Sequence, residues 1–175
     1  MCHEVVVVVG VDGSSASDAA LRHALFRAHT YGGSVELVTA WPSHSTDGED
    51  EAVLYRAGHR WAVQTQRAAI ERTRSLIAQA PPVTGVVGDC DPAELLSLVG
   101  TRAACIVLGK RTDEPVRTAC DSIRERCMAL TERPVVVVPE SGGGQLPEKG
   151  PKPAVKQRPE LAVEGAPDGG RDALG

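Results

Sequence analysis

Five short apolar runs separated by segments of helical periodicity constrain this chain more than any other feature. Residues 5–13, "VVVVVGVDG", form a run of valines in which no polar residue alternates. That is how a strand buried on both faces reads, with Gly and Asp as its stop. In residues 14–33, Ala20, Leu21, Ala24, Leu25 and Ala28 recur at helical spacing. Ser15 and Asp18 are placed as a capping box, and Gly32 and Gly33 as the C-terminal stop. A second strand, "SVELVTAW", and a polar loop, "PSHSTDGED", follow.

From Glu51 to about Gln79 no proline interrupts the chain, which predicts a long second helix. Leu54, Ala57, Trp61, Ala68 and Leu76 fall near one face of it, and Trp61 reads as a packing anchor. Gly58 weakens this helix slightly. "PPVTGVVGDCD" supplies a third strand, "PAELLSLVG" a helix with Pro92 at its first position, and "ACIVLG" a fourth strand. A last helix, beginning near Ser122 and running through "CDSIRERCMALTER", leads into a fifth strand, "PVVVVP".

Strands that alternate with helices predict a parallel sheet, because each right-handed crossover packs its helix back on the sheet. The fold class is therefore α/β, a doubly wound parallel five-stranded sheet with helices on both faces. Ligands of such folds bind beyond the carboxyl ends of the strands, where strand order reverses. That directs attention to "GVDGS" after the first strand and "LGKRT" after the fourth. Residues 1–140 make one domain. Residues 141–175 are rich in Gly and Pro, lack aromatics and have no hydrophobic period, so they are expected to be a disordered tail.

Charge narrows the partners. With 19 Lys and Arg against 23 Asp and Glu, the net charge is -4, which offers no field for nucleic acid or an anionic membrane. No apolar run approaches the roughly 20 residues of a membrane span, and the first residues carry no signal-peptide pattern, so a cytoplasmic location is expected. The five cysteines show no CxxC spacing and read as reduced thiols. Cys120 and Cys127 lie two turns apart on one helix face, too far to bridge within a subunit. Cys90, between Asp89 and Asp91, sits where negative charge raises a thiol pKa and opposes nucleophilic use. The five histidines share no ligand spacing.

Three segments, in order, carry a resemblance: "VVVVGVDGSSASDAALRHA", "GDCDPAELL" and "SIRERCMALTERPVVVVP". Together they resemble the universal stress protein family over about residues 4–139. The resemblance implies strand order 3-2-1-4-5, as in adenine nucleotide alpha hydrolase-like folds, and a homodimer often paired along the fifth strands. It also implies an adenine site at Asp12, Ala40 and the backbone near Leu108 and Gly109. Members that bind ATP share a loop of Gly, two residues, Gly, nine residues, then Gly with Ser or Thr.

Here Gly109 and Ser122 match the ends of that loop, with Ile123 following. Thr112 replaces its second glycine, Asp121 its third, and the stretch is one residue short. Those glycines let backbone N–H groups approach phosphate oxygens. Asp121 beside a polyphosphate adds repulsion of ~4 kcal/mol for unit charges ~4 Å apart at an effective dielectric of ~20. Lys110, Arg111 and Arg117 offset it in part, among Asp113, Glu114 and Asp121.

The expected function is a noncatalytic, cytoplasmic, dimeric stress-response protein with weak or no ATP binding, acting through a protein partner. The alternative is an ATP- or AMP-binding switch, or a slow ATPase, that uses the degenerate loop. No nucleophile paired with a base stands at the strand ends, so no enzyme is expected. An ATP pyrophosphatase is disfavoured because "GSSASD" retains only Gly13 of the phosphate loop such enzymes use. A response-regulator receiver is disfavoured because Asp12 stands alone and "VVVVPES" has no lysine.

Overall fold

The computed structural model describes residues 5–41, 51–74, 79–110 and 119–140. Thr112, Leu76 and the tail beyond residue 140, on which expectations were placed, lie outside the described residues. Strands β1 (Val6–Gly10), β2 (Ser34–Ala40), β3 (Val83–Gly88), β4 (Cys105–Lys110) and β5 (Val135–Pro139) alternate with helices α1 (Ser15–Tyr31), α2 (Glu51–Arg74), α3 (Pro92–Val99) and α4 (Ala119–Leu130). All the pairings are parallel, in the order β3-β2-β1-β4-β5. This is the doubly wound sheet that the alternation predicts, and its order reverses between β1 and β4.

Two aliphatic cores flank the sheet. On one face Val7, Val9, Val35, Leu37 and Val107 pack under α1, which buries Ala20, Leu21, Ala24, Leu25 and Ala28. On the other, Val8, Val38, Ile106 and Leu108 pack under α3 and α4 through Leu95, Leu96 and Cys127. Alternate residues of β1 serve opposite cores, so the valine run is buried on both sides as a central strand requires.

Helix ends follow their punctuation with one correction. Ser14, not Ser15, caps α1: its side chain accepts from the Ser17 N–H at 3.1 Å. Asp18 pairs instead with Arg72 at 2.9 Å. The choice between adjacent serines is made upstream, because Asp12 holds Ser14 by two hydrogen bonds. Gly32 closes the helix at φ 66°, and the Gly33 N–H reaches Ala28 O at 2.8 Å. α3 opens with Pro92 behind the cap Asp91. α4 begins at Ala119, three residues before the expected Ser122, which places Ser122 in its first turn.

The face of α2 requires a second correction. Leu54, Ala57 and Trp61 are exposed, Trp61 at 44%, so it is not the buried packing anchor that its spacing suggests. Ala62, Gln66, Ala69 and Thr73 are buried instead. Small and hydrogen-bonding side chains take most of the seat under α2, with Ile70 half-buried beside them. The Gln66 amide donates to Val86 O at 2.7 Å and to Leu37 O at 3.3 Å, pinning the helix to β2 and β3. Gly58 has a physical reason as well: a Cβ there would lie 2.2 Å from the Trp41 ring.

Candidate functional site

A cleft of about 100 Å³ opens at the carboxyl ends of β1, β2 and β4. It lies at the β1/β4 switch point, where the topology places a ligand. Its floor is Gly10, Val38, Ala40 and Leu108; one wall is Asp12, Ser14 and Ser17 at the start of α1; the other is Pro92 and Leu96 of α3, with Ile123 of α4. Small residues at the strand ends leave the space. One side is apolar and the other presents hydroxyls and a carboxylate.

The polar wall is ordered by a relay. Asp12 Oδ1 accepts from the Ser14 N–H at 2.9 Å and from Ser14 Oγ at 2.6 Å. Ser14 Oγ then accepts from the Ser17 N–H, and Ser17 Oγ donates to Ser14 O at 2.8 Å. Asp12 therefore serves as the turn residue that its position at a strand end suggests, through one oxygen. Its second oxygen has no hydrogen-bond partner among the described residues. Beneath the turn, buried Thr39 donates to Val11 O at 2.7 Å and the Val11 N–H donates to Val38 O at 2.9 Å, so β2 fixes the height of Asp12 above the sheet.

Of the residues singled out in the sequence, Asp12, Ala40, Leu108, Gly109 and Ile123 line this one cleft. Ser122 is adjacent in α4, and Thr112 lies outside the described residues. Ser14 closes the GVDGS segment singled out in the sequence, whereas Ser17, Pro92 and Leu96 were missed, because each reads locally as helix start or as core. The buried Thr39 was missed for the same reason.

Among the described residues both cleft hydroxyls are committed to the relay, and no histidine lines the cleft. Nearby Cys90 has its thiol pushed up by burial first, then by the charges of Glu94, Asp89 and Asp91. Among the described residues no cluster of His, Cys, Asp or Glu could hold a metal ion. At the rim Asp91 caps α3 through the N–H groups of Ala93 and Glu94 and pairs with Arg126. Burial acts to raise this carboxyl, but those N–H groups and the guanidinium outweigh it and hold it below its ordinary value.

The model of the family described as the universal stress protein family matches residues 6–139. The chain belongs to the universal stress protein family. Solved structures agree in fold. One is a protein of this family from Burkholderia pseudomallei, 23% identical, covering 79% of this chain and 98% of its own, at a TM-score of 0.60. A universal stress protein in complex with cAMP is 23% identical and covers 78% of this chain and 97% of its own, at 0.55. A family member from Arabidopsis thaliana with AMP bound is 15% identical and covers 77% and 91%, at 0.56. No curated protein matches significantly. No helix among the described residues is long and apolar enough to cross a membrane.

Proposed function

We propose that this chain is a noncatalytic, cytoplasmic regulator that binds an adenine nucleotide in the cleft, with the base over Ala40 and Leu108 and the ribose toward Asp12. The observation that carries this reading is the convergence of Asp12, Ala40, Leu108, Gly109 and Ile123 on one opening at the switch point. The complexes of two family members with cAMP and AMP support it. The missing glycines at Thr112 and Asp121 favour a monophosphate over ATP, since a shorter anion asks less of that loop. The regulator acts as a homodimer through β5. Among the described residues that strand pairs only with β4, and Val135, Val136 and Val137 are half-buried. Residues 1–140 form the binding domain.

Calorimetric titration of the full chain with AMP, and then with ATP and Mg²⁺, tests the reading. AMP is expected to bind more tightly than ATP. Asp12→Ala should weaken AMP at least about tenfold, as the loss of a charge-assisted hydrogen bond of about 1.5 kcal/mol implies. Absence of heat with either nucleotide would return the chain to a scaffold that acts through its partner alone.

A further inference from the structure

The exposed apolar side chains are unevenly spread. Of the nine large hydrophobic residues exposed among the described residues, five (Val53, Leu54, Tyr55, Trp61 and Val63) lie between residues 53 and 63 of α2. Arg56, Arg60 and Arg67 line a shallow groove of about 540 Å³ with Tyr55, His59 and Val63 on the same helix. Among the described residues none of these three arginines has an ion-pair partner, whereas Arg72 holds Asp18 and Arg126 holds Asp91. The helix carries five arginines and two glutamates in a chain whose net charge is -4. Such a face suits a segment that is acidic and apolar together.

The chain itself supplies one. Charges between residues 149 and 168 are segregated: Lys149, Lys152, Lys156 and Arg158 come first, then Glu160, Glu164 and Asp168 with no basic residue among them; Glu148 precedes this stretch, and Arg171 and Asp172 follow it. Leu161, Ala162 and Val163 stand between the first two carboxylates. The point of departure also fits. Ser15 donates to Glu140, so the last described residue is held at the first turn of α1, at the carboxyl end of the sheet. Gly13, two residues before Ser15, lies against Thr65 of α2. The twenty residues from 140 to 160 span about 25 Å as a flexible chain, enough to reach the groove.

We propose that residues 159–168 dock on the exposed face of α2. Glu160, Glu164 and Asp168 lie against Arg56, Arg60 and Arg67, and Leu161 and Val163 lie against Tyr55 and Val63. Each surface ion pair is weak, but a tether of this length supplies a millimolar effective concentration, which turns weak contacts into occupancy.

Hydrogen exchange on the full chain tests this. At low salt, amides 160–166 are expected to exchange at least about threefold more slowly than in an unstructured chain. The protection should vanish at about 1 M salt, where the screening length is ~3 Å. It should also vanish in Arg60→Glu/Arg67→Glu and in Glu160→Lys/Glu164→Lys, and return when the four reversals are combined. Circular dichroism checks that the helix variants fold; the reversals in 160–164, outside the family match, test the proposal even if they do not. Unprotected amides in the native chain, or protection indifferent to reversal, would overturn it. Protection that rises with protein concentration would also overturn it, assigning the groove to a second copy.

Discussion

Gly109 and Gly10 end neighbouring strands beside the same cleft, and the two faces of the sheet use them differently. On the α1 face a Cβ at Gly109 would lie 2.2 Å from Ala16 O, so helix backbone rests directly on strand backbone. On the α3/α4 face a Cβ at Gly10 would meet only the side chains of Leu108 at 3.1 Å and Leu96 at 3.6 Å. One glycine removes space and the other leaves it. The cleft is a property of one face: α1 is pressed down to its first turn, while α3 and α4 stand off over small strand-end residues.

Gly109→Ala breaks the comparison most severely. Backbone cannot rotate away as a side chain can, so α1 must shift, at a cost of about 1–3 kcal/mol or more, read as a lower denaturant midpoint. Asp91→Ala acts on the looser face and should cost about 1 kcal/mol through loss of the α3 cap. Because the Asp91 carboxyl is held below its ordinary value when folded, its contribution is fully present above the unfolded pKa. It is lost as pH falls through the folded value, so the wild-type advantage over Asp91→Ala in denaturation midpoint should shrink in acid. Gly10→Ala should change stability least, by under about 1 kcal/mol, since Leu108 has only to give slightly. It should nevertheless abolish nucleotide heat in the calorimeter. A Gly10→Ala protein that binds AMP like the wild type would show that the ligand does not enter over β1.

The strands were legible because their signals are local. Runs of valine, the Gly32–Gly33 stop and Asp-Pro at 91–92 each state their conformation within a few residues. The face of α2 was not legible, because apolar spacing assigns Leu54 and Trp61 to a core, while the residues it buries are Ala62, Gln66, Ala69 and Thr73. Fit to the sheet is a tertiary quantity that hydropathy does not carry. Asp12 and Ala40 came from the family resemblance. Thr39 and Leu96 could not, since a buried threonine in a strand and a leucine in a helix look the same wherever they sit. The cap at Ser14 turned on a competition between adjacent serines that Asp12 decides.

The Trp41 ring, packed on Gly58 and edge-on to Tyr55 and His59, also gives the molecule an optical reporter. Its indole N–H is buried without a hydrogen-bond partner among the described residues, whereas Trp61 is exposed to solvent over less than half its surface. The emission spectrum should therefore split into a blue part from Trp41 and a red part from Trp61. Because Trp41 follows Ala40 directly, the blue part reads out the end of β2, where the floor of the cleft begins.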